Sequence, residues 1–149
     1  MTNFQSELRA QGAAALAAVE VDHGWEEHHN VVTLYFPETT ADGFRVGVEA
    51  SDTTVVLTAG RMHVPTFEDE ESPADQVRDA LGLARDLLGA GMRLRELQVF
   101  GIPYRWYLES EKEGEWIVEH EMGILFWLPS SFASTVIYQN HQLPRRGAD

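Results

Sequence analysis

Cysteine is absent from this chain of 149 residues, which excludes a disulfide framework and any thiolate metal site and gives no support to an oxidising compartment. Lysine is nearly absent as well, Lys112 standing alone beside ten arginines. With 24 Asp and Glu against 11 Lys and Arg, the net charge is -13. A surface that acidic repels phosphates and anionic lipid, attracts basic partners and steers them at long range. It argues against nucleic acid as a ligand, because stacking on aromatics also needs a basic groove to neutralise phosphate. Long apolar runs are missing too. Gly123 to Pro129 falls far short of the roughly 18 residues a membrane helix needs, so no membrane partner is expected. The N-terminal stretch MTNFQSELRAQGAAALAAVE is rich in alanine, but Glu7 and Arg9 interrupt it and no basic region precedes an apolar one, unlike a signal peptide. A cytoplasmic protein is the expectation. Finally, no nucleophile elbow, phosphate loop, paired-Cys metal site or dinucleotide fingerprint occurs, so no catalytic residue, metal or cofactor is assigned.

What is present suffices for one core. A hydrophobic content of 44% over this length predicts a single domain, residues 1–149, with 144–149 as a fraying tail. Phe4, Leu8, Ala15, Leu16 and Val19 recur near the helical period and predict a helix from Asn3 to Val19. Ser72, Pro73 and Asp75 form an N-cap, a first-turn proline and a first-turn acid. Val77, Ala80, Leu81, Ala84, Leu87 and Leu88 then mark one face of a second helix, ended at Gly89 or Gly91. Strands are predicted over Asn30–Phe36 and Phe44–Ala50, and over Thr53–Ala59 and Arg61–Phe67 as one long strand or two short ones broken at Gly60. Further strands are predicted over Leu94–Phe100, Tyr104–Glu109, Trp116–Glu121, Gly123–Leu128 and Thr135–Tyr138. The order helix, strands, helix, strands, without regular βαβ alternation, argues for an α+β fold. Its sheet is mostly antiparallel, with the N-terminal and central helices packed on it.

Candidate chemistry is sparse. His23, Glu26, Glu27, His28 and His29 crowd a Gly24-containing stretch that reads as a loop, and imidazole with carboxylate is metal-binding chemistry. The five-residue spacing from His23 to His28 matches no metal signature. His63 lies just ahead of the acidic run Glu68, Asp69, Glu70 and Glu71, where a carboxylate could orient it as a general base. Ser130, Ser131 and Ser134 lack the surroundings of a nucleophile, and the pairs Glu109 with Glu111 and Glu119 with Glu121 suit a solvated strand face better than a glycosidase dyad. The last third of the chain concentrates aromatics. There Arg105 and Tyr107 share a strand face with Glu109 and precede Glu111, Glu113 and Glu115, an interface anchor within an acidic rim.

The run from Phe44 to Leu88, with FRVGVEA, TTVVLTAGRMHVPTF, an acidic tract and a capped helix, resembles small bacterial α+β proteins. In size, acidity and lack of a catalytic motif the chain is similar to immunity proteins of bacterial polymorphic toxin systems. The resemblance implies a non-enzymatic cytoplasmic protein that binds a cognate basic toxin and blocks its active site, and it carries over no functional residue. Carboxylates placed where phosphates would lie could pair with the toxin's Arg and Lys. Glu68–Glu71, Arg105, Tyr107 and Glu109–Glu115 are the expected contacts. Two other classes stay open: a small-molecule binder or enzyme using His63 or the His23–His29 cluster, and an adaptor whose acidity serves solubility alone.

Overall fold

The computed structural model describes residues 3–64, 72–124 and 129–144. Helix α1 (Asn3–Leu16) precedes five strands, β1 (Gly24–His28), β2 (Val31–Phe36), β3 (Val46–Ala50), β4 (Val55–Ala59) and β5 (Met62–Val64). Helix α2 (Pro73–Leu87) leads into β6 (Met92–Val99), β7 (Ile102–Lys112), β8 (Glu115–Gly123), a 3₁₀ turn (Ser130–Phe132) and β9 (Ser134–Tyr138). The fold is α+β, with two antiparallel sheets in place of one: β1-β2-β3-β4-β5, a meander, and β8-β7-β6-β9.

Alternation builds the first sheet. On β2, Val32, Leu34 and Phe36 point inward between half-buried Val31, Thr33 and Tyr35, the period-2 pattern of a sheet covered on one side. Val46, Val48, Leu57 and Val64 extend that inner face, which meets Leu8 of α1 and Val77, Ala80 and Leu87 of α2. Each such aliphatic side chain contributes about 1.5–3 kcal/mol on burial. Helix α2 starts as its sequence dictates. Ser72 Oγ accepts from the Asp75 amide (3.2 Å) with Pro73 in the first turn, and the Leu88 N–H closes the other end on the Ala84 carbonyl.

The stretch expected as a histidine-rich loop is instead the edge strand β1. Two aromatic-on-glycine contacts set its place. Trp25, opposite Leu34, packs so closely on α1 that a Cβ on Gly12 would lie 2.9 Å from its ring, and Gly24 receives the Tyr35 ring. Its charges are then answered from both sides, Glu27 by Arg9 (2.7 Å) and Glu26 by Arg45 (3.0 Å). The acidic residues conceal the strand in the sequence because edge strands carry charge.

The second sheet shares the same core through Met92, Leu94 and Leu108. The chain after β9 fastens the two sheets together. Asn140, 1% exposed, accepts from the Phe44 amide (3.1 Å) and donates to the carbonyls of Phe44 (3.0 Å) and Leu87 (3.1 Å). Gln142 and Leu143 donate their amides to the Leu88 carbonyl. The strands expected over Arg61–Phe67 and Gly123–Leu128 extend outside the described residues beyond Val64 and Ile124, as does the tail from residue 145.

Candidate protein-interaction surface

The second sheet carries most of the residues singled out for binding. Hairpin pairing sets Arg93 opposite Glu109 and Arg95 opposite Tyr107, so these four share the outer face. There the Glu109 carboxylate, 3% exposed, accepts from Arg93 Nε (2.6 Å) at one oxygen and from Arg95 Nε (2.6 Å) at the other. Each guanidinium also lies over an aromatic ring, its Cζ 4.2 Å from the ring centroid, Arg93 over Trp116 and Arg95 over Tyr107. The Tyr107 hydroxyl in turn accepts from Arg105 Nη1 (3.2 Å), and this bond, with the phenol's and Glu121's electrostatic support, raises the Arg105 pKa. Arg105, Tyr107 and Glu109 therefore do come together. Glu109, however, is not part of an acidic rim: two arginines neutralise it, and burial makes that pairing obligatory.

Arg93, Arg95 and Trp116 are the members of this array that sequence reasoning passed over. A signal existed in the alternation Arg93-Leu94-Arg95, basic residues on the face opposite an inward leucine. Cross-strand register, which supplies their shared carboxylate, was not readable.

The two ends of this sheet differ chemically. At one end β7 turns into β8 through Glu113 (φ 54°) and Gly114 (φ 85°), the double positive φ of a primed hairpin turn. That turn displays exposed Glu113 and Glu115, with half-buried Glu111 just before it. Nearby, Lys112 Nζ (2.6 Å) and the Ser110 hydroxyl hold the Glu119 carboxyl below the usual range. Both groups border a cleft of about 390 Å³ that His120 also lines. A carboxylate so stabilised is a weak base, and it reads as an ion pair closing the hairpin.

The opposite end is apolar. The β6–β7 turn consists of Phe100 (φ 53°) and Gly101 (φ 76°), and Phe100 is 99% exposed. Strand ends gather beside it, since Gln98 pairs with Ser134 and Arg105 with Gly123. Hence Ile102 (69% exposed), Ile124 (63%) and Phe132 (76%) stand at the same end. Asn, Asp or Gly is the usual occupant of a left-handed turn position, and a bulky residue there is an outlier.

The other candidates disperse. His63 points to solvent from the outer face of β5, opposite Thr58. His23 precedes β1 and His28 ends it, roughly 16 Å apart at strand rise, and only His28 and His29 touch, ring centroids 4.0 Å apart. Among the described residues no three His, Asp or Glu side chains converge as metal ligands, and no helix is long and apolar enough to cross a membrane. Glu68, Asp69, Glu70 and Glu71 lie outside the described residues. No family model, curated protein or solved structure matches this chain.

Proposed function

We propose that this chain is a protein-binding module whose contact surface is the second sheet, with the apolar end as anchor. The observation that carries this reading is Phe100, wholly exposed in a left-handed turn position. A backbone outlier with no packing reward in the free protein points to a role outside it. Ile102, Ile124 and Phe132 widen the anchor, and Arg105 and Tyr107 on the adjoining face are residue types that dominate binding energy at interfaces.

The finer reading is an immunity-type inhibitor of a basic toxin. It is supported by the net charge of -13, which accelerates encounter with a basic protein, and by the exposed carboxylates of Glu113 and Glu115. On this reading the apolar end supplies affinity, the acidic hairpin supplies steering, and Glu109 orients Arg93 and Arg95 without meeting the partner. Binding, not catalysis, is the proposed activity.

The test is retention of partners from a bacterial lysate by the tagged chain at low and raised salt, in three forms: unaltered, Phe100→Asp, and Glu111→Gln/Glu113→Gln/Glu115→Gln. A basic protein held by the unaltered chain, lost with Phe100→Asp and captured more slowly by the triple variant, is the expected result. Retention indifferent to both variants overturns the assigned surface, and a partner that is not basic overturns the toxin reading while leaving the module.

A further inference from the structure

The helix layer holds a second candidate site, remote in the sequence from the residues of the interaction surface. Helices α1 and α2 meet where Gln11 Nε2 donates to the Ala74 carbonyl (2.9 Å), and between them lies an apolar cleft of about 400 Å³. That volume is in the range of small-molecule sites. Its floor rests on the buried core at Phe36 and Leu88, and half-buried Leu16, Val19 and Leu81 line it above them. The α1 wall contributes Ala14, Ala15 and Ala18, all exposed.

Two features turn the gap into a site of definite chemistry. Gly82, on the α2 wall, sits in the middle of a helix, where glycine is unfavourable. A Cβ there would meet nothing within 4 Å, so no neighbour in the free protein demands the glycine, and its effect is to keep that wall open. Among the described residues, the charged ones lining the cleft are Arg78 and Arg85, both cations in a chain of net charge -13. Arg78 is engaged by Asp75 (2.7 Å) and Asp79 (3.5 Å). Arg85, two helical turns further and exposed, makes no ion pair with a described residue.

We infer that the α1–α2 cleft binds an amphipathic carboxylate, with its hydrocarbon chain on Leu16, Val19 and Leu81 along the space left by Gly82 and its head group at Arg85. The charge logic makes this sharp. The protein as a whole attracts cations, so an amphiphile that prefers the cleft because it is anionic does so against the global field.

The test is calorimetric titration of the full chain with decanoate, below its micelle concentration, beside decyltrimethylammonium of the same chain length. Saturable one-to-one binding of decanoate is expected, with the cation at least tenfold weaker. Arg85→Ala should weaken decanoate binding roughly tenfold, the loss of a charge-assisted contact. Gly82→Leu should abolish it while leaving the chain folded by circular dichroism, and Ala15→Leu from the opposite wall should do the same if the first variant folds poorly. Absence of saturable binding overturns the proposal, as does equal binding of the cation or indifference to the wall-filling substitutions. A concentration-dependent dimer dissolved by Gly82→Leu, without decanoate binding, would give the cleft to a second copy of the chain instead.

Discussion

The two sheets are built on the same period and used oppositely. In the first, β2, β3, β4 and β5 each send residues of near-zero exposure under the helices. In the second, β8 and β9 are mostly exposed or half-buried along their length. No helix of the described residues lies on the outer face of β6 and β7, and there arginines, aromatics and one buried carboxylate take the place of aliphatic packing. Alternation alone thus says that a strand has two faces. What lies over a face decides whether it becomes core or contact surface.

The comparison breaks most visibly in the first sheet. Leu57→Ala, at a site with 0% exposure, should cost about 3–5 kcal/mol in urea unfolding, whereas Ile137→Ala, on the outer face of β9, should stay within about 0.5 kcal/mol. Equal losses would mean that the second sheet is as tightly covered as the first.

Next in size is Glu109→Gln. The amide cannot satisfy both guanidinium groups, and a loss of about 2–3 kcal/mol is expected, against almost none for Glu113→Gln on the hairpin of the same sheet. A double-mutant cycle with Arg95→Met should return a coupling energy above about 1 kcal/mol, and additivity would remove the buried ion pair as a source of order.

The third change should raise stability. Phe100→Asn relieves a left-handed phenylalanine, worth about 1 kcal/mol, and removes the proposed anchor at the same time. A variant more stable and still fully able to bind would detach the strain from function.

The smallest effect is with pH. Asp75, bonded by the Ser72 hydroxyl and then by Arg78, and Glu119, bonded by Lys112 and then by Ser110, both have lowered pKa values. Their folded values lie below the unfolded ones, so their contribution is complete above the ordinary carboxylate range, about pH 4. It fades as pH falls through the folded values. Both groups are partly exposed, and screening keeps the slope shallow. Replacing Glu119 by Gln should flatten the acid limb of the urea midpoint, and an unchanged limb would remove Glu119 from it.

Much of this was legible locally. Ser72, Pro73 and Asp75 announced the start of α2 because capping is satisfied within one turn. Phe44 to Ala50 announced β3 because period 2 needs no partner to be seen. Less legible were β1, whose charges are matched by Arg9 and Arg45 from distant segments, and the division of the strands between two sheets. Arg105, Tyr107 and Glu109 were visible as a strand face, but the neutralisation of Glu109 was not, because Arg93 and Arg95 reach it across a hairpin.

The sequence by itself determined the composition of the surface, the two helices and most strands, since charge, capping and alternation are properties of neighbouring residues. Tertiary structure decided which face met the helices, how Asn140 closes the C-terminal segment on Phe44 ahead of β3 and on α2, and that four apolar residues from three separate segments end up at one end of a sheet. Those outcomes depend on contacts between segments far apart along the chain, and burial, register and pairing are settled only when such segments meet.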